Sequence, residues 1–367
     1  MSPMEYNLTE GNITGNLLKF AFPLMIGNLL QQCYNIADTL IVGRFLGADA
    51  LAAVGSAYTL MVFLTSIILG LCMGSSAFFS MQFGAGNTER LKKSFFLAFV
   101  LIGMITLVLN FLVVWKLDLI IRLLQIPAEI RELIYYYVKF PHLRVEKRHM
   151  KWDTSILKEI TGLSILTCMQ QSIMNLGILM VQGLVNSFGT AVMAAFAAAV
   201  KIDSFAYMPV QDFGNAFSTF VAQNFGAGKK DRIHRGTRSA VTVSTVFCLV
   251  VSALVFIFAA PLMKIFIEAS RPDIIKIGVG YLRIEGSFYF GIGILFLLYG
   301  YYRAVSKPAM SVVLTVISLG TRVVLAYVLS AIPAVGVTGI WMSIPIGWIL
   351  ADATGILYMY KLEKNKR

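Results

Sequence analysis

Asp38, Lys201, Asp203, Asp212 and Arg322 each interrupt an apolar run of the 367-residue chain. A charged side chain in hydrocarbon is costly, so residues of this kind face a cavity, an ion path or a partner. Reversible binding of a proton or small cation, and recognition of a charged organic solute, are the chemistry they suit. Near Asp38, the side chains of Gln31, Gln32, Tyr34 and Asn35 supply oxygen and amide groups at helical spacing. Pro23, about four turns earlier, can bend the same helix. The competing reading is a helix-end aspartate beside Arg44 at the membrane interface.

The interval from Lys201 to Asp212 is about three helical turns, which puts both on one helix face, with Asp203 pointing the other way. Asp212 stands about 18 Å along a helix from Asn224, close to mid-membrane. An internal ion pair or a snorkelling lysine would explain the same residues without a solute. Gln171, Asn175 and Arg322 are further cavity candidates, with Gln170, Arg283 and Glu285 behind them. Any of these can instead lace helices together. Tyr207, Tyr289 and Met61, with Phe205, Phe290 and Met208, would suit a flat apolar cation. Ordinary core or lipid-facing content accounts for each of them equally simply.

Bond-making chemistry finds no support. His142, His149 and His234 lie in basic loops without HExxH, and no GxxxxGK[ST] is present. Cys33, Cys72, Cys168 and Cys248 fall in apolar segments without a CxxC pair, which reads as small packing residues. The expectation is a non-enzyme with neither cofactor nor resident metal.

Helices must position these residues. Of the 367 residues, 57% are hydrophobic and 14% charged, against roughly 25% charged in a soluble domain. Apolar runs near 17–43, 51–82, 94–115, 156–186, 191–223, 241–266, 274–302, 310–332 and 336–360 can each span a bilayer. In lipid the backbone must satisfy its own hydrogen bonds, which favours helices, and the alternating strands of a barrel are missing. The fold class is therefore an all-α polytopic membrane protein in a lipid bilayer.

The net charge of +12 does not mark a nucleic-acid partner, because the basic residues concentrate in every second loop. These are Arg90, Lys92 and Lys93; Lys229, Lys230, Arg232, Arg235 and Arg238; Arg303 and Lys307; and the tail from Lys361. Such asymmetry assigns those loops, and both termini, to the cytoplasm. The stretch ahead of Leu17 carries Glu5 and Glu10 and no basic n-region, so the reading is a retained first span, not a cleaved signal.

Laid on itself at an offset of 142, the chain agrees at 12 of 47 positions between Gly47/Gly189 and Lys93/Arg235. The matches include Phe78/Phe220, Arg90/Arg232 and both copies of Phe-Gly-Ala-Gly, at 83–86 and 225–228. Glycines at that point allow φ > 0 and a close approach of helix ends. Both copies precede basic loops of the same expected side, so the repeats are parallel. Two parallel lobes around a central cleft are a transporter plan.

In these features the chain resembles the multidrug and toxic compound extrusion transporters. The resemblance rests on Pro23, NIADTLIVGRFLGADALAAVG from Asn35, MQFGAGNTERLKKS from Met81 and FVAQNFGAGKKDR from Phe220. It continues through YLRIEG from Tyr281, YYRAVSKPAMS from Tyr301 and VGVTGIWMSIPIGW from Val335. It implies a twelve-helix, two-lobe monomer in the plasma membrane that exports small organic, often cationic, compounds by antiport with Na⁺ or H⁺. It assigns ion coupling to Asp38, with Asn35 beside it, and implies a second acidic residue on the fifth helix. A flippase of lipid-linked precursors shares the two-lobe plan and is the alternative.

The chain departs from that plan in its first half. The reading divides it into an incomplete N-terminal lobe at 1–138, an inter-lobe loop at 139–155 and a six-helix C-terminal lobe at 156–367. After three spans, the apolar stretch at 128–138 makes only about 16 Å of helix, too short to cross. Three spans leave Asp118 outside, yet the stretch from Lys139 to Lys158 carries six Lys or Arg and belongs inside. An odd number of crossings is missing, and three fit.

Overall fold

Apolar runs of this length close all their backbone hydrogen bonds locally, and every regular element among the described residues is helical. The computed structural model describes residues 7–45, 47–116, 153–267 and 270–364. It describes side chains over the same positions except 35–64, 110–116, 179 and 362–364. The helices are α1 (Ile13–Phe45), α2 (Gly47–Gly84), α3 (Thr88–Lys116), α4 (Thr154–Asn186), α5 (Thr190–Gly226), α6 (Lys230–Phe266), α7 (Pro272–Gly286), α8 (Tyr289–Ala304), α9 (Pro308–Ser330) and α10 (Val337–Lys364). Eight are long and apolar enough to cross a membrane, or nine spans if α7 and α8 count as one.

That last pair refines the sequence reading of one span over 274–302, which does not foresee a break inside it. The structure bends by 51° between α7 and α8. Ser287 turns its hydroxyl back to the Arg283 carbonyl at 2.6 Å, and the Phe288 N–H closes a tight turn on the Glu285 carbonyl at 3.0 Å. These local bonds replace the next rungs of the ladder. Arg303 is a correction. It counts as a loop cation in the sequence reading, but it is buried at the end of α8, donating to Asn215 Oδ1 at 3.1 Å and Ser218 Oγ at 3.4 Å on α5.

The repeat has a structural counterpart at each copy of Phe-Gly-Ala-Gly. Ala85 N–H donates to Met81 O and Ala227 N–H to Gln223 O, both at 2.9 Å. Asn87 N–H and Lys229 N–H reach back to Gln82 O and Asn224 O at 3.1 and 2.9 Å. Gly86 and Gly228 both hold φ of 70°, the left-handed residue that such a helix end requires. The other matched pair also makes equivalent contacts: Arg90 lies over the Phe78 ring at 5.8 Å and Arg232 over Phe220 at 5.7 Å.

The first glycine of each motif does something different. A Cβ on Gly84 would lie 1.8 Å from the Gln223 carbonyl oxygen, and one on Gly226 would lie 1.9 Å from the Met81 oxygen. Met81 and Gln223 are themselves repeat equivalents, so α2 and α5 cross backbone to backbone about a local two-fold relation. Phe78, Met81, Phe213, Phe217 and Phe220 fill one core around this crossing together with Leu8, Leu17 and Ala21 from the chain's beginning. A separate core occupies the second lobe, where Trp341 stacks on Phe196 at 5.4 Å and meets Tyr281 edge-on at 4.9 Å.

Candidate functional site

The lobes are held together at the Phe-Gly-Ala-Gly end by a strap that the sequence does not announce. Gln223 Oε1 accepts from Leu8 N–H at 2.8 Å, and Asn224 donates to Leu8 O at 3.1 Å. Lys229 donates to Thr9 O at 2.9 Å, and Arg232 donates to the carbonyls of Leu8, Glu10 and Gly11. The basic residues after the second motif thus grip backbone oxygens that precede α1. Thr14 and Ser239 extend the seam at 2.7 Å.

Following α1 and α5 away from that end leads to Asp212. Asn28 lies about four turns beyond Ile13, and Asp212 lies about four turns before Gly226. At a rise of about 1.5 Å per residue, both reach roughly 21–22 Å, near mid-membrane. There Asn28 donates to Asp212 Oδ1 at 2.6 Å, joining the two lobes. Asp212 is 6% exposed, and its Oδ2 is buried without a partner among the described residues. α1 is exposed on both sides of this point, with Phe22 62% and Tyr34 64% exposed and Gln31 exposed as well. The arrangement is a strapped Phe-Gly-Ala-Gly end and, about four turns from it, a buried carboxylate bridged between the lobes.

Lys201 and Asp212 are not brought together, although the spacing puts them on one face. Lys201 is exposed, whereas Asp212 is buried against α1. Asp203, placed by the sequence reading away from that face, is 3% exposed and central to a second cluster. Tyr281 donates to Asp203 Oδ2 at 2.8 Å, and Tyr289 donates to Oδ1. Glu285 adjoins Asp203 and Tyr281, and Arg322 acts electrostatically on both carboxylates. A desolvated carboxylate needs donors, and the bend after α7 lets Tyr281 and Tyr289 supply them from either side of the break. With two carboxylates and one guanidinium, the cluster balances its charge by taking one proton or one monovalent cation. Asp203 and Tyr289 consequently spend their polar atoms on each other rather than on an open cleft.

Tyr281→Phe removes one of the two phenol donors and leaves Asp203 half satisfied. The expected cost is about 1–3 kcal/mol, read as a lower thermal midpoint of the detergent-solubilised protein. An unchanged midpoint would show that Tyr289 suffices.

The remaining candidates are dispersed. Gln171 is buried on α4, and the Asn175 amide donates to its own helix at Gln171 O, 3.1 Å away. Tyr207 is half-buried and stacks on Phe296 at 6.5 Å. The side chains of Asn35, Asp38 and Met61 lie outside the described residues. Sequence reasoning missed Asn28, Tyr281 and Asp352. The last is a charge inside the final apolar run and was visible as such, while the other two acquire meaning only from partners 184 and 78 residues away.

The MatE family model matches residues 23–143 and 164–328. "Probable multidrug resistance protein YpnP" of Bacillus subtilis is 24% identical over 434 residues, covering 96% of each chain. Since 96% of 367 residues is about 352, about 82 of those 434 positions have no counterpart here. Two solved structures share the fold at 17% identity and cover 100% of both chains. One is a MOP superfamily transporter from Pyrococcus furiosus with a TM-score of 0.89, and the other a MATE in complex with MaL6 with 0.90. Two helical lobes joined at the Phe-Gly-Ala-Gly end make this a multi-pass membrane transporter and not an enzyme, and the chain belongs to the MatE family.

Proposed function

We propose that this protein exports small organic compounds, cations in preference, across the plasma membrane as a monomer, by antiport with Na⁺ or H⁺. The family relationship supports efflux of drugs or toxic compounds as the general activity. The observation that carries the finer reading is the Asn28–Asp212 bond at mid-depth. A buried carboxylate with one oxygen unpartnered among the described residues, set between the lobes, attracts a cation. Its bond across the lobes makes occupancy and lobe packing depend on each other. Asp38 and Asn35 remain the coupling residues of this proposal. Both termini and both Phe-Gly-Ala-Gly loops face the cytoplasm in it, as the loop charges favour. The three absent spans belong between 138 and 139, and the unmatched positions in the YpnP alignment support an internal difference of that size.

The experiment is efflux of a cationic dye from membrane vesicles under an imposed Na⁺ or H⁺ gradient, using the chain with those spans restored. Asp212→Asn lowers efflux roughly tenfold, the equivalent of about 1.4 kcal/mol, at unchanged protein level. Normal efflux by that variant would reassign Asp212 to packing.

A further inference from the structure

Asp352 takes no part in the site described above, yet it is a carboxylate 7% exposed in the middle of α10. Its Oδ1 is buried with no hydrogen-bond partner among the described residues. Its Oδ2 looks onto α8 at Gly291, where a Cβ would stand 3.8 Å away, so the missing side chain leaves a small space beside the carboxyl. Further along α8, the buried Tyr299 phenol faces the same carboxyl and shares a hydrogen bond with Thr315 of α9.

No cation among the described residues answers this charge. Arg322 on α9 sits beside Gly347, and its field falls on Asp203 and Glu285. Tyr327, also on α9, is exposed. On α8, Tyr289 is bound to Asp203, Tyr302 donates to the Gly355 carbonyl at 2.5 Å, and Arg303 is bound to α5. On α7, Tyr281 and Glu285 belong to the Asp203 cluster, Asp273 pairs with Arg271, and Arg283 lies over Phe256. Lys276 of α7 is exposed. On α10 itself, Tyr358 packs against Tyr302 and Lys361 is exposed. α4 offers Lys158 and Glu159, exposed in its first turns, and Cys168 against Gly70 of α2.

An ionised carboxylate here would have no countercharge among the described residues and no donor on Oδ1, a state far costlier than burial of the neutral acid. Sodium is a poor occupant. Of the side chains described above, only the Tyr299 phenol adds an oxygen facing the carboxyl, whereas hard cations gather a fuller oxygen shell.

We propose that Asp352 is a proton-binding site inside the second lobe, separate from Asp38 and from the Asp203–Glu285–Arg322 cluster. The folded protein holds Asp352 as the neutral acid. Releasing its proton requires water to reach the seam where α10 meets α8 at Gly291, so the proton and the packing of that seam are linked. The antiport reading supplies the use made of this proton, but the presence of the proton does not depend on transport.

Infrared spectroscopy of the purified full chain in lipid vesicles tests this without any gradient. The wild-type-minus-Asp352→Asn difference spectrum at neutral pH shows a carboxylic C=O band that shifts in D₂O. Asp273→Asn, at an exposed residue paired with Arg271, removes only carboxylate bands. Asp352→Glu keeps an acid at the site and moves the C=O band instead of abolishing it, which guards against a folding defect in the asparagine variant. Loss of carboxylate bands alone in Asp352→Asn would overturn the proposal. Failed antiport with the C=O band intact would leave it standing and overturn only the transport reading.

Discussion

Gly226→Val is expected to force the two lobes apart at the Phe-Gly-Ala-Gly end. The added Cβ meets the Met81 carbonyl oxygen at 1.9 Å, and the obstacle is backbone on both sides, so no rotamer relieves it. Gly84→Val does the same from the other lobe, against the Gln223 oxygen at 1.8 Å. Overpacking of a side-chain core costs about 1–3 kcal/mol, and a backbone crossing that cannot yield costs more. Displacing Gln223 also strips the strap, because its side chain holds Leu8. A single cysteine at Leu8, in a chain freed of its four native cysteines, reports the event. It is protected when Gly226 is present, and in Gly226→Val it reacts with an impermeant maleimide roughly tenfold faster, the effect of about 1.4 kcal/mol. Equal protection in both would show that the crossing tolerates a side chain. Gly228→Ala is the control within the same motif. It has nothing within 4 Å of the new Cβ and meets only the left-handed backbone, at a cost of about 1–2 kcal/mol.

The contrast between those two glycines marks where the sequence stops being legible. The offset of 142 reveals two copies, and glycine chemistry predicts both a positive φ and a close approach. Which glycine performs which task depends on the distance between α2 and α5, which no local pattern encodes. Helix positions were readable because hydrocarbon imposes a length and leaves the backbone no alternative partner. The break at 287–288 was not, since it turns on one serine hydroxyl and on tyrosines that must reach Asp203 from both sides. Charges inside apolar runs singled out Asp203 and Asp212, both of which the structure buries. Their surroundings were hidden, because helical phase fixes a face but not what packs on it. Lys201 illustrates the loss: it keeps the spacing of Asp212 and ends up exposed while Asp212 is buried.

The largest functional effect is expected at Asp38, and it depends on the three spans proposed to be absent from the first lobe. By the family resemblance, the first-helix aspartate works beside a second acidic residue on the fifth helix of the same lobe. Two carboxylates a few ångströms apart cannot both stay ionised, so such a pair holds one proton that a metal cation can replace. On the proposal that the fifth helix is absent, Asp38 can still take a proton through desolvation, but a cation there finds too few oxygens. The 367-residue chain is therefore expected to transport poorly or not at all. Restoring three spans between 138 and 139 recovers dye efflux driven by a pH or Na⁺ gradient, and Asp38→Asn abolishes the recovered activity while leaving the protein in the membrane. The four combinations, short or restored and with or without Asp38, form a complete cycle. Coupling through Asp38 requires that Asp38→Asn matter in the restored protein and make no difference in the short one. Robust efflux by the short chain that persists in Asp38→Asn would place coupling in the second lobe, where the Asp203–Glu285–Arg322 cluster and Asp352 are complete.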